Sequence, residues 1–232
     1  MTIMNDQLKQ KAAEHAVEAV QSGMIIGLGH GSTAIWAVRK IGQLIQVGSL
    51  RNVLGIPCSI LVETEARQLG IPLTTLEDHP VIDLTIDGAD EVDLNLELIK
   101  GGGGALMREK IVAQASQQEI IVVDESKLVP ALGTNWAVPV EVIPFGYGSQ
   151  VEYLKSLGAE VKIRQIGEGT LFKTDQGNLI LDCKFGPIAN PAALGDQLKR
   201  RIGIVEHGLF VGLATRVIIA SADGIREIRR GS

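Results

Sequence analysis

Apolar runs of strand length recur along the first half of this chain, each ending on glycine or polar residues: MIIGLG at 24–29, NVLGIPCSI at 52–60, VIDLTIDG at 81–88 and EIIVVDESK at 119–127. Between them lie stretches with helical spacing. Leu8, Ala12, Ala16 and Val20 mark one helix over 3–21, and Ile35, Trp36, Val38, Ile41 and Ile45 mark another. ETEARQLG and REKIVAQAS complete the series, with Gly23 and Gly70 as helix stops. Apolar strands alternating with helices predict an α/β domain, a mainly parallel sheet with helices on both faces.

The pattern changes over Pro130–Pro144. VPVEVIPFG, SQVEYLKSLG, AEVKIRQ, LFKTDQGNLILDCKF and NPAALGDQLKR read as strand, helix, strand, strand and helix, with a turn near Asp175–Asn178. This predicts a small α+β unit of antiparallel character. The closing LFVGLATRVIIASADGIREI reads as short strands joined by an Asp-Gly turn. The expected domains are 1–135, a small unit at 136–208, and a return to the first domain over 209–232; the terminal Gly231-Ser232 is given no role.

Composition narrows the classes. Apolar residues make up 45% of the 232 residues and charged ones 21%, as in soluble globular proteins. Aromatic residues are only 3% and the formal net charge is −5, so neither base stacking nor a basic surface argues for nucleic acid. Cys58 and Cys183 stand at no motif spacing. No leader pattern opens the chain and no apolar run approaches membrane-spanning length. The expected location is the cytoplasm, with no membrane partner.

Ligands of a parallel sheet bind at the carboxyl ends of its strands, where three polar stretches fall. In GLGHGSTAIWA, Gly29, His30, Gly31, Ser32 and Thr33 lie between a strand and a helix start. Three readings are open: a turn with Ser32 or Thr33 capping the helix, a phosphate cradle of backbone N–H groups, or a dinucleotide fingerprint through Gly29, Gly31 and Ala34. The last requires an acid about 20 residues on, and none stands between Glu18 and Glu63. In DGADEVD, Asp87 lies just beyond a strand, well placed for a substrate hydroxyl. Glu91 and Asp93 read as a solvated loop, and magnesium binding is weakly supported because no neutral oxygen or imidazole ligand recurs at a fixed spacing. In KGGGGALMREK, Lys100 precedes four glycines and Glu109 follows. A carboxylate can serve as general base and acid while an ammonium stabilises an oxyanion, a pair suited to proton transfer beside a carbonyl.

Taken together, GHGST (29–33), DGADEVD (87–93), KGGGGALMREK (100–110), DESK (124–127), VEVIPFG (140–146), GNLILD (177–182) and EHGLF (206–210) resemble ribose-5-phosphate isomerase type A along essentially the whole chain. The resemblance implies a Rossmann-like domain with a smaller ferredoxin-like α+β domain, assembled as a homodimer or dimer of dimers. It implies interconversion of D-ribose 5-phosphate and D-ribulose 5-phosphate in the non-oxidative pentose phosphate pathway, without metal or organic cofactor. By the family pattern Glu109 is the acid/base, Lys100 stabilises the enediolate oxygen, Asp87 contacts substrate hydroxyls and assists ring opening, and Asp90 stands beside it. Ser32, Thr33, Lys127 and Lys9 surround the phosphate, and the sugar phosphate also meets Gly29, His30, Gly31, Gly101, Gly102 and Gly103. One departure is His30, where the family carries Thr or Ser, and altered phosphate affinity is the expected result. Another is Ile202, where Pro commonly precedes the glycine.

Overall fold

The computed structural model describes residues 2–231, so Ser232 lies outside the described residues. In chain order the elements begin α1 (Thr2–Val17), β1 (Ile25–Leu28), α2 (Ala34–Gln46), β2 (Leu54–Pro57), α3 (Ile60–Gln68) and β3 (Leu84–Gly88). They continue β4 (Glu91–Val92), β5 (Leu98–Ile99), α4 (Leu106–Ala115), β6 (Glu119–Asp124), β7 (Val138–Val142), α5 (Tyr147–Ser156) and β8 (Glu160–Ile163). The last are β9 (Leu179–Lys184), α6 (Pro191–Lys199), β10 (Ile204–His207), β11 (Leu209–Phe210), β12 (Arg216–Ser221) and β13 (Gly224–Arg229).

Two compact units divide the chain: one takes the residues up to Ala89, Arg108–Lys127 and those from Gly212 on, the other Asp90–Met107 and Leu128–Val211. Residues 90–107 and 128–135, placed by the sequence pattern with the first domain, group with the smaller unit, and the return falls at Gly212.

The first unit is built on a six-stranded sheet of order β13-β12-β6-β3-β1-β2. Every pairing is parallel except the β12–β13 hairpin. Ile26, Leu28, Leu84, Ile86, Ile120 and Val122 pack with Ala12, Ala13 and Ala16 of α1, Val38 and Ile41 of α2, and Val62 and Ala66 of α3. Small side chains on α1 let the helix lie close to the sheet. Val112 of α4 packs with Ile56, Cys58 and Ile82 in a separate cluster. A Cβ on Gly27 would fall 1.8 Å from Thr85 Oγ1 and 2.7 Å from Val112, so glycine in β1 permits this approach. Helix α1 stops at Val17 instead of Gln21, and turns fill the gap before β1.

The second unit has an antiparallel four-stranded sheet, β10-β7-β9-β8. Val138, Val140, Val142 and Leu181 meet Leu154 of α5 and Leu198 of α6 in its core. Asn190 caps α6 through Ala193 N–H at 3.0 Å, with Pro191 opening the helix. Cys183 belongs to this core, and burial pushes its thiol well above its ordinary range, as expected of an inert packing residue. Of the stretch 171–185, only 179–184 forms a strand. The sequence pattern gave no sign of the three-stranded sheet β11-β5-β4, whose members are two residues long and carry no period.

Candidate active site

In the first unit the turn between β1 and α2 lies directly on the end of β3. Gly29 N–H donates to Ile86 O at 3.1 Å, and a Cβ on Gly29 would sit 2.5 Å from both Asp87 Cα and Oδ1. No other residue fits there. Asp87 is 1% exposed, and its Oδ1 accepts the backbone N–H groups of His30 at 2.9 Å and Gly88 at 2.7 Å. These bonds hold one carboxylate oxygen against the turn and so fix the orientation of the other.

Thr33 stands at the N-cap of α2 but is in the helical region and makes no side-chain cap. Ser32 instead accepts from Lys9 Nζ at 3.1 Å, bringing α1 to the turn. The capping reading is therefore not what the hydroxyls do. Gly31 is exposed with φ +107, and a Cβ there would meet nothing within 4 Å, so the turn opens outward. His30 Nδ1 lies 2.9 Å from Ser59 Oγ, and the same hydroxyl oxygen caps α3 by accepting Val62 N–H at 3.1 Å. Ser59 is 2% exposed, so its hydroxyl is enclosed between the imidazole and the start of α3.

Glu109 lies in the first turn of α4, where the helix dipole favours a carboxylate, and is 4% exposed. Lys127 closes the 3₁₀ turn Glu125–Lys127 that follows β6 and is half-buried. The turn Gly29–Thr33, Asp87, Glu109, Lys127 and Lys9 all belong to the first unit.

The second unit carries Asp90, Lys100 and Gly101–Gly103. Lys100 leaves β5 with its N–H donating to Gly208 O at 2.9 Å, and its ammonium stands 5.4 Å from the centre of the Phe210 ring. It is 2% exposed, a burial that an ammonium tolerates only among compensating groups. Asp90 Oδ2 accepts Gly102 N–H at 2.7 Å. Gly101, Gly102 and Gly104 each have a packing reason. A Cβ on Gly101 would fall 2.8 Å from Leu106 Cβ, one on Gly102 2.7 Å from Asp90 Oδ1, and one on Gly104 2.3 Å from Phe172 Cζ. Arg164, which no motif marks, donates through Nη1 to the carbonyls of Gly101 and Gly102.

Glu91 and Asp93 correct the solvated-loop reading. Glu91 is fully buried and accepts N–H groups from Gly133 at 2.6 Å, Asn135 at 2.5 Å and Trp136 at 2.8 Å. Asp93 Oδ1 accepts from Asn95 and Glu97, closing a local turn. Both carboxylates organise backbone, and partners more than forty residues away for Glu91 left no local signal. Among the described residues, no group of three or more His, Cys, Asp or Glu is placed to hold a metal ion. A cavity of about 510 Å³ in the first unit is lined by Ile56, Arg67, Thr74, Glu77, Arg108 and Ile111 among others, and by none of the predicted site residues. Its Arg67 is already paired with Glu63 at 2.7 Å.

A parallel sheet gathering a glycine turn, hydroxyls and carboxylates at its strand ends belongs with the α/β proteins that take small ligands there. The family model described as ribose 5-phosphate isomerase A (phosphoriboisomerase A) matches residues 54–224. Ribose-5-phosphate isomerase A of Desulfatibacillum aliphaticivorans is 55% identical over 224 residues, covering 97% of each chain. The solved ribose 5-phosphate isomerase from Plasmodium falciparum is 46% identical, with a TM-score of 0.94 over 98% of this chain and all of that one. A D-ribose-5-phosphate isomerase solved in complex with phospho-erythronic acid superposes with a TM-score of 0.94 at 36% identity, over 97% of this chain and 98% of its own. The chain belongs to the ribose 5-phosphate isomerase A family.

Proposed function

We propose that this protein interconverts D-ribose 5-phosphate and D-ribulose 5-phosphate, with Glu109 transferring the proton. The observation that carries the reading is the turn Gly29–Thr33. It leaves the Ser32 and Thr33 side chains uncommitted to capping, draws Lys9 to Ser32 and is seated on Asp87, in a chain of this family. Hydroxyls, an ammonium and a helix start suit a phosphate monoester. Lys127 adds a second cation for the same group.

Asp87, with one oxygen tied to backbone, contacts a sugar hydroxyl and assists ring opening. In the open aldose the Glu109 carboxylate takes the C2 proton. The electron pair left behind forms the C1=C2 double bond and moves the carbonyl electrons onto O1, giving a cis-enediolate. Lys100 stabilises that oxygen charge, aided by Asp90 and the Gly101–Gly103 backbone around the substrate. The O2 hydroxyl proton then passes to O1, the C2 carbonyl forms, and Glu109 returns its proton to C1. Atoms and charge balance with no added reactant. The family likeness and the buried carboxylate at a helix N-terminus support the assignment of Glu109.

The protein is further read as a cytoplasmic homodimer or dimer of dimers that acts on a small sugar phosphate and takes no nucleic-acid or membrane partner. No described helix is long and apolar enough to cross a membrane. Phe145 and Ile202 of the second unit, 89% and 93% exposed, support self-association through apolar surface.

Purified protein assayed on ribose 5-phosphate, with and without a chelator, tests the reading. Ribulose 5-phosphate formation unaffected by chelator is expected. An inactive protein would favour a non-catalytic sugar-phosphate sensor, and loss of activity with chelator would overturn the metal-free chemistry.

A further inference from the structure

A single guanidinium grips the carbonyls of two of the four consecutive glycines. Arg164, immediately after β8, donates through Nη1 to Gly101 O at 2.9 Å and Gly102 O at 3.1 Å. Its Nε and Nη2 pair with the two oxygens of Asp182 on β9. The guanidinium carbon lies 5.8 Å from the Phe172 ring centre, and Phe172 N–H donates to Arg164 O at 3.0 Å. Phe172 is also the side chain that fills the space a Cβ on Gly104 would need. Asp182, Phe172 and Arg164 therefore form one seat beneath Gly101–Gly104.

The orientation of two peptide planes follows. In a trans peptide the C=O and N–H point in opposite directions. The plane joining Gly101 to Gly102 is gripped at both ends, its carbonyl by Arg164 and its N–H by Asp90 Oδ2 at 2.7 Å. The next plane has its carbonyl on Arg164 as well, so the Gly103 N–H is turned away from the guanidinium. Gly102 is exposed, so water could satisfy its carbonyl without any protein donor, while Gly101 is buried and takes its carbonyl's partner from Arg164. At Gly102, then, the fork goes beyond satisfying a buried polar group. Its effect is to remove the conformational freedom that four glycines would otherwise retain.

We propose that Arg164, oriented by Asp182, is a positioning residue for the isomerisation, fixing the backbone that leaves Lys100 and the direction of the Gly102 and Gly103 N–H groups. The proposal rests on the isomerase reading above. A lysine at 164 keeps the charge but cannot reach Asp182 and two carbonyls at once.

Steady-state kinetics on ribose 5-phosphate with Arg164→Lys and Asp182→Asn test this. Both should lower kcat by roughly 10- to 100-fold, as misplacement of about 1 Å does, while KM moves by less than about 3-fold. Arg164→Ala should regain part of its kcat when ethylguanidinium is added, which a merely structural loss would not. Parental kcat in both conservative variants overturns the proposal, as does a loss that tracks only the unfolded fraction and is not rescued. If the parent itself is inactive, the isomerase reading fails, and amide exchange still decides the clamp. Faster exchange at Gly102 N–H in Arg164→Lys supports it, and unchanged exchange overturns it.

Discussion

Two glycine-rich segments, Gly29–Thr33 in the first unit and Gly101–Gly104 in the second, look alike as sequence and are built on different principles. In the first, Gly29 lies on the Asp87 backbone while Gly31 faces open space. In the second, Leu106, Asp90 and Phe172 occupy the volumes that side chains at 101, 102 and 104 would claim, and Arg164 ties the carbonyls. Backbone bareness in the first seats Gly29 on Asp87 and leaves Gly31 facing open space. In the second it admits the protein's own side chains, which stiffen the loop from behind. A glycine count alone does not separate a cradle from a braced loop; the neighbours do.

Gly29→Ala should break the first segment most severely, because the clash is with backbone and carboxylate that cannot move apart without unseating Asp87. A loss of kcat/KM of about 10²-fold or more, or failure to fold, is expected in kinetics and thermal melts. Gly104→Ala meets the far end of an aromatic ring at 2.3 Å, in a backbone with φ +85. Overpacking and strain should cost about 1–3 kcal/mol, and Phe172→Ala in the same chain should recover only the overpacking part. A full recovery would show that ring contact alone sets the requirement for glycine.

His30→Thr probes how the open turn is held. Threonine lacks the reach to bond Ser59 while its backbone N–H can still serve Asp87. KM for ribose 5-phosphate should shift by about 3- to 10-fold with kcat within about 2-fold, the size of one hydrogen bond. No change in either would remove His30 from the substrate's surroundings.

The smallest effect concerns stability of the second unit. Glu141 on β7 is fully buried, and burial holds its carboxyl above the usual 4.5, opposed in part by hydrogen bonds from Asn178 and Thr174. Because its pKa is raised on folding, the native state binds this proton more tightly than the unfolded chain does. The group therefore costs stability as pH rises above its unfolded value. Glu141→Gln should melt higher than the parent near pH 7, with the gain shrinking as pH falls toward 4.5. An unchanged difference across that range would contradict the assignment.

What was legible in the sequence followed from local period. The apolar runs of β1, β3 and β6 and the helical spacing of α2 marked the parallel sheet, and the strand ends marked Gly29–Thr33 and Asp87. The family motifs supplied the roles proposed for these residues. Elements without a period stayed hidden, such as β4, β5 and β11. Residues defined by distant partners also stayed hidden. Glu91 looked solvated because the N–H groups that need it belong to residues 133–136. Arg164 was anonymous because its partners are two glycine carbonyls some sixty residues earlier. Ser59 read as part of a strand end, and only the fold places it on His30.

The central claim is that Glu109 moves the proton, and turnover of Glu109→Gln on ribose 5-phosphate tests it most directly. The amide keeps the shape and removes the base, so kcat should fall by about 10²-fold or more while KM stays near the parent's. A variant with parental kcat would contradict the account.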